Sequence, residues 1–308
     1  MPETITPTAL TIAGLDPSGG AGVIADIRAF AAFGCAPAAA ITAVTFQNDD
    51  GVCGAEHLSA ETIRRQVLAI AGGRAVAGAK TGMLPTRAAI REVARLFRET
   101  SLPAPVVDPV IRATSGYALI AEGALAELLA ELLPIARLVT PNIPEAEEIT
   151  GLQINDVEGM RAAAAAIRRR GARAVLIKGG HLGLGPHASC VPDSPEKPGE
   201  IELTTDGESS ARQARRMRAV PGEAIDVLDN EGHVTILRSE WIPGAGLRGT
   251  GCLLSAAIAA CLGKGMTLEE SVSQAKKFVA QAIRAGTSVC LSEPPAVAGG
   301  SSTLLGST

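Results

Sequence analysis

The sequence predicts an α/β fold of the doubly wound kind, a three-layer arrangement in which a mainly parallel sheet carries helices on both faces. Three observations predict it. Short apolar runs alternate with amphipathic stretches along most of the chain. Several of those runs are apolar throughout, as in strands covered on both faces, rather than alternating as a half-exposed strand does. The 308 residues are 46% hydrophobic, yet include only five phenylalanines, one tryptophan and one tyrosine beside 34 glycines. A core of Ala, Val, Ile and Leu with many Gly turns suits tight winding around a ligand.

The elements follow in order. Ala9–Ala13 reads as a strand and Gly22–Phe33 as a helix. Ala38–Thr45 is a strand again, ended by a polar turn through Asn48–Gly51. Ser59–Ala71 is a helix with Ser59 as its N-cap and Glu61 in its first turn. Val76–Ala79 is a short strand. Thr86–Arg98 carries Ile90, Val93, Ala94 and Phe97 at helical spacing. Pro105–Asp108 and Leu138–Thr140 read as strands on either side of a helix at Ala121–Leu133. Glu145–Thr150 and Asp156–Arg170 are helices, and Ala174–Lys178 is a strand. Ala224–Leu228 and Val234–Leu237 form a hairpin across Asp229–Gly232, and Thr250–Cys261 and Leu268–Ala285 are the last helices. A single domain over 1–286 is expected. It carries a Pro-rich surface insertion at about 183–222, read as an inert loop in preference to a lid. A small-residue tail over 287–308 is expected to be disordered.

Composition also excludes. A net charge of −4 and so few rings leave neither the basic footprint nor the stacking platforms of a nucleic-acid binder. The longest uncharged internal stretch, Ala29–Asn48, is broken by Gly34, Pro37, Thr42 and Gln47, so no membrane span is expected. Residues 1–15 lack a basic start followed by an apolar run, and the six cysteines show no Cys-x-x-Cys spacing. A cytoplasmic, reduced protein is the expectation.

Four loops at predicted strand ends could carry chemistry. Gly14 to Gly22, between the first strand and helix, is either a tight turn or a cradle of backbone N–H groups for an anion; it has neither a P-loop nor a dinucleotide fingerprint. Gly249-Thr250-Gly251 opens an Ala-rich helix and can form an anion nest for a transferring phosphoryl group. Cys252, in that helix's first turn, is either a small buried residue or a proton acceptor whose thiol is expected below its free value of about 8.5. Asn142-Ile143-Pro144-Glu145 offers a carboxylate for Mg²⁺, or simply a good helix start. Lys178-Gly179-Gly180-His181 offers a cation for phosphates, or a surface lysine before a turn. Asp108 adds a carboxylate at another strand end. An anion hole, a base, a Mg²⁺ ligand and a cation are the parts of phosphoryl transfer.

These motifs, taken in order, resemble a known family. Thr11-Ile12-Ala13-Gly14, Asp16-Pro17-Ser18-Gly19-Gly20-Ala21-Gly22 and Ala25-Asp26 are followed by Gln47-Asn48 and Lys80-Thr81-Gly82-Met83-Leu84. Val107-Asp108-Pro109-Val110, Thr140-Pro141-Asn142-Ile143-Pro144-Glu145, Lys178-Gly179-Gly180-His181 and Gly249-Thr250-Gly251-Cys252 complete the set. Together they look like the hydroxymethylpyrimidine/phosphomethylpyrimidine kinases of thiamine synthesis, over roughly residues 8–285 apart from the insertion. The resemblance implies a ribokinase-like fold, ATP and Mg²⁺, a homodimer, and phosphorylation first of the pyrimidine's hydroxymethyl group and then of the monophosphate. It implies that Gln47 bonds the aminopyrimidine, that Gly14, Met83 and Val110 line its pocket, and that Asp26 lies close by. Cys252 becomes the base and Gly249, Thr250 and Gly251 the anion hole. Lys178 and Asn142 fall to the nucleotide, and Asp108 and Glu145 to Mg²⁺.

The chain departs from the family pattern in two places. Gly246-Leu247-Arg248 replaces Asn-Thr-His, so Arg248 either clamps a nucleotide phosphate or faces solvent. Phe46 stands where a small residue is common, and either stacks on the pyrimidine or simply packs. A pyridoxal or pyridoxine kinase and a non-catalytic pyrimidine-binding descendant are the alternatives.

Overall fold

The computed structural model describes residues 6–48, 51–180, 222–242 and 248–285. The expected tail, the expected insertion short of Gly222, and His181 lie outside them, as do Gly246 and Leu247. The chain falls into two compact units, one built from residues up to Ile135 together with those from Gly244 onward, the other from Ala136–Pro243.

In the first unit the strands are β1 (Thr8–Leu15), β2 (Ala36–Gln47), β3 (Val52–His57), β4 (Val76–Thr81) and β5 (Val106–Val107), in the order β3-β2-β1-β4-β5. β1 is parallel to β2 and β4, and β4 to β5, while β3 runs antiparallel to β2. Its helices are α1 (Gly22–Ala32), α2 (Ala60–Gly73), α3 (Arg87–Glu99) and α4 (Ala124–Glu131), followed by α7 (Thr250–Gly263) and α8 (Leu268–Arg284). α1, α7 and α8 pack as one group, and α2, α3 and α4 as another. The second unit holds β6 (Leu138–Val139), α5 (Ile143–Thr150), α6 (Val157–Arg169), β7 (Ala174–Lys178), β8 (Glu223–Asn230) and β9 (His233–Glu240). Its strand order is β6-β7-β8-β9, with β6 and β7 parallel and the last three antiparallel. The doubly wound, mainly parallel class and nearly all its elements are as expected.

Local chemistry explains most element ends. Ser59, Thr86, Asp156 and Thr267 each accept a backbone N–H three residues on, so α2, α3, α6 and α8 start on capping side chains. The β8–β9 hairpin turns through Glu231 (φ 54°) and Gly232 (φ 97°), a two-residue connection with left-handed geometry at both positions.

Four expectations need correction. β3 was not foreseen. α5 starts at Ile143 rather than Glu145, because Asn142 caps it and Pro144 fits its first turn. The helix expected over Ala121–Leu133 is only α4, because Gly123 adopts φ 73° at its N-cap and Leu133–Ile135 tightens into a 3₁₀ turn. β5 and β6 pair over two residues each, shorter than Pro105–Asp108 and Leu138–Thr140. Pro109 and Pro141, which follow those stretches, have no N–H to extend a ladder.

The contact that positions the candidate site is between backbones. α7 is buried from Leu253 to Cys261, as expected of a helix apolar on every side. It lies so close to β4 that a Cβ on Gly78 would stand 2.2 Å from the Ala259 carbonyl oxygen, and one on Gly263 would stand 2.9 Å from the Gly78 nitrogen. Only hydrogen fits at these positions.

Candidate active site

In the first unit, the loop between β1 and α1 is organised by Asp16. One carboxylate oxygen accepts from the backbone N–H (2.9 Å) and hydroxyl (2.7 Å) of Ser18, the other from Ala21 N–H (2.9 Å) and Gln47 Nε2 (3.1 Å). An Asx-type turn is thereby tied to the end of β2, and the Gln47 amide is oriented by a carboxylate before any ligand arrives. Thr45 Oγ1 lies 3.2 Å from Gln47 Oε1. Gly14 and Met83, both expected to line the ring pocket, are in contact, since a Cβ on Gly14 would come within 2.9 Å of the Met83 sulfur. Val110 follows Asp108 in a tight turn, its N–H bonded to the Asp108 carbonyl. Phe46 is 55% exposed and lies on Gly54 of β3, a packing role on a neighbouring strand.

The residues expected to form the nest open α7. Gly249 takes φ 80° at the N-cap of α7, and no side chain caps that end. Uncapped first-turn N–H groups and the positive end of the helix suit an anionic oxygen. A Cβ on Gly249 would stand 2.0 Å from the Gly20 carbonyl oxygen, so the nest is pressed against the β1–α1 loop. Gly249→Ala is therefore expected to lower turnover at least tenfold and to cost about 1–3 kcal/mol of stability, checked by initial rates and urea unfolding. Full activity in the alanine variant would remove the nest from the chemistry.

Beneath the nest lies a buried ionic cluster. Lys80 Nζ sits 3.0 Å from both oxygens of Asp26, neither side chain has any exposure, and Thr11 Oγ1 donates to Asp26 at 2.6 Å. Burial pulls the Lys80 ammonium down, but the opposed charges of Asp26, Cys252 and Asp108 outweigh it and hold Lys80 protonated. Burial also pushes the Asp26 carboxyl up, against the pull of Lys80 and Thr11. Asp26 is thus a buried counter-charge to Lys80.

Cys252 differs from expectation. Burial pushes its thiol up to about 11, with Asp26 and Asp108 adding to the rise. Lys80 and the Gly22 N–H pull the other way without prevailing. The expected depression is not found, because desolvation of the thiolate exceeds the pull of Lys80 and the Gly22 N–H. Asp108, also buried, lies near the hydroxyl of Ser255, which approaches at 3.4 Å.

Arg248 precedes the nest and reaches back over the β1–α1 loop. One guanidinium nitrogen donates to the Asn48 carbonyl and another to Ser18 Oγ at 3.3 Å.

In the second unit, Asn142, beyond β6, and Lys178, the last residue of β7, lie side by side as a parallel bridge, and Lys178 N–H bonds the Pro141 carbonyl. Asn142 and Glu145 form a reciprocal capping box, with both side-chain-to-backbone bonds at 2.8 Å. The helix-start role for Glu145 is thus observed. Asp226 accepts the Gly179 N–H at 2.9 Å and fixes the turn after Lys178.

Sequence reasoning missed two residues here. Lys80 was visible as a lone lysine inside an apolar strand, and Asp16 as the first residue of an Asp-Pro-Ser turn. Among the described residues no three His, Cys, Asp or Glu side chains converge as a metal cage. Isolated carboxylates such as Asp108 fit Mg²⁺, which takes one or two carboxylates and completes its shell with phosphate oxygens and water. No helix among the described residues is long and apolar enough to cross a membrane.

The doubly wound α/β fold, with Gly249-Thr250-Gly251 opening an uncapped α7 and Cys252 in its first turn, is that of a ribokinase-like, ATP-dependent phosphotransferase. Comparison with known proteins gives the family. The chain belongs to the phosphomethylpyrimidine kinase family, whose pattern it matches over residues 16–200 and 214–295. It is 41% identical over 282 residues to the hydroxymethylpyrimidine/phosphomethylpyrimidine kinase of Rhizobium meliloti, covering 91% of this chain and 92% of that one. Among solved structures it is similar to the phosphomethylpyrimidine kinase of Clostridium difficile, with TM-score 0.69 and 33% identity over 90% of this chain and all of that one. It is also similar to a Bacillus subtilis pyridoxal kinase in complex with ADP, with TM-score 0.71 and 31% identity over 91% and 92%.

Proposed function

We propose that this chain uses ATP to phosphorylate the hydroxymethyl group of 4-amino-5-hydroxymethyl-2-methylpyrimidine, and then phosphorylates the monophosphate to the diphosphate, as a step in thiamine biosynthesis. The observation that carries the reading is the Gln47–Asp16 pair. A side-chain amide fixed by a carboxylate presents a donor and acceptor to a flat aminopyrimidine edge, in a chain of the phosphomethylpyrimidine kinase family.

In the first transfer the substrate hydroxyl oxygen attacks the γ-phosphorus of ATP. Cys252 takes the hydroxyl proton, and ADP leaves with the electron pair of the broken bond. Gly249, Thr250 and Gly251 donate to the oxygens of the transferring group, where charge accumulates. Gly14, Met83 and Val110 wall the ring, and Asp26 supports that wall through Lys80. In the second unit we assign Asn142 and Lys178 to the nucleotide. Mg²⁺, when bound, would offset phosphate charge; Asp108 of the first unit is the carboxylate we assign to it, while Glu145 of the second, given to Mg²⁺ by the sequence resemblance, caps α5. The reading carries with it a homodimer, which the family resemblance implies, and a cytoplasmic location, which the cysteine spacing supports.

Incubating the purified protein with the monophosphate, ATP and Mg²⁺ tests acceptor and second step together. Diphosphate formation with stoichiometric ADP is the expected result. The pyridoxal kinase likeness keeps one rival reading, and an acceptor panel decides it: preferential phosphorylation of pyridoxal would replace the pyrimidine assignment.

A further inference from the structure

The two phosphorylations make different electrostatic demands. The first acceptor is a neutral alcohol, whereas the second is a phosphate monoester carrying a charge of about −1.5 to −2 near neutral pH. In the second transfer an oxygen of that phosphate bonds to the γ-phosphorus. The bond from γ-phosphorus to the bridging oxygen breaks, and ADP departs with its electron pair. No proton has to be removed from the dianion, but two anions must be brought together. A cation on the acceptor side therefore matters for the second transfer far more than for the first.

The sequence alone offered Arg248 to the nucleotide. Its observed contacts are to the β1–α1 loop and to the residue after β2. The guanidinium is held by Ser18 Oγ and the Asn48 carbonyl. Ser18 in turn donates to Asp16, the carboxylate that orients Gln47, and Asn48 is the next residue after Gln47. A Cβ on Gly20 would lie 3.7 Å from an Arg248 guanidinium nitrogen and 3.6 Å from the Asp16 carboxylate. Arg248 is thus anchored to the two loops that carry the ring reader, and its backbone leads directly into Gly249 and the nest. One residue thus joins the loops proposed to read the ring to the nest proposed to hold the transferring phosphoryl group. A planar fork of N–H donors also matches phosphate oxygens better than a point charge does.

Resting on the function proposed above, we infer that Arg248 determines specificity for the second transfer by binding the phosphate already carried by the acceptor.

Arg248→Gln and Arg248→Lys, with the wild-type chain, test this in steady-state assays run separately on the alcohol and on the monophosphate. Arg248→Gln is expected to raise KM for the monophosphate at least tenfold more than KM for the alcohol. Arg248→Lys should recover part of that difference, and KM for ATP should stay within twofold. Equal changes for both acceptors overturn the inference, as does a rise confined to KM for ATP, which returns Arg248 to the nucleotide. Thermal melting of both variants excludes a folding defect, because misfolding lowers kcat on both acceptors together without splitting their KM values. A wild-type chain that phosphorylates the alcohol but not the monophosphate overturns this inference and leaves the alcohol kinase standing. One that phosphorylates neither overturns both.

Discussion

Cys252→Ala is expected to slow phosphorylation of the alcohol by about 10²- to 10⁴-fold, the usual contribution of a positioned proton acceptor, while ATP binding measured by calorimetry stays near the wild-type value. The same variant should slow transfer to the monophosphate much less, because the dianion has no proton to lose. Burial pushes the Cys252 thiol up to about 11, so only a small fraction is thiolate at neutral pH. The sign follows directly. A base must be unprotonated to act, and that fraction grows about tenfold per pH unit below the pKa, so kcat for the alcohol should climb from pH 7 to pH 9. A flat profile, or an alanine variant turning over the alcohol at the normal rate, would remove Cys252 as the acceptor. A scarce thiolate is still workable, since a base of high pKa takes the proton more avidly once formed.

Asp26→Ala should cost about 3–5 kcal/mol of unfolding free energy, because it removes the carboxylate bonded directly to the fully buried Lys80 ammonium. Urea unfolding checks this. Replacing both partners together, Asp26→Leu with Lys80→Met, should recover most of the loss, since two apolar groups leave no unpaired charge behind. Activity gives a second reading. If Lys80 also steadies Cys252, the double variant should be stable but slow on the alcohol. A single variant that loses less than about 1 kcal/mol would mean that the pair is neutralised or hydrated, and that its geometry matters little.

The chain's winding was legible because buried parallel strands and amphipathic helices leave strong periodic traces. β3 was not, since Val52–His57 has neither an apolar run nor alternation and owes its extended form to pairing with β2. Caps at Ser59 and Asn142 could be read from residue type, and so could the nest from Gly249-Thr250-Gly251. Quantities that depend on surroundings could not. The helix start around Cys252 is visible in the letters, but the desolvation that reverses its effect arises from elements far apart in sequence. The partnership of Lys80 with Asp26 spans 54 residues, and no local pattern announces it. Arg248 was conspicuous as a departure, but its anchors at Ser18 and Asn48 come from loops some 200 residues earlier.

The backbone contact of α7 with Gly78 bears on how one pocket serves acceptors of two lengths. Hydrogen-sized gaps at Gly78 and Gly263 leave the helix no side-chain cushion to compress. The nest therefore acts as a fixed stop, unable to recede when the acceptor grows by a phosphate. On the function proposed above, the extra length is expected to be taken up at the opposite end, by the ring shifting along the β1–α1 loop and the end of β2. Variation in those two segments, and not in the helix, is where related chains should differ when they accept longer or shorter substrates.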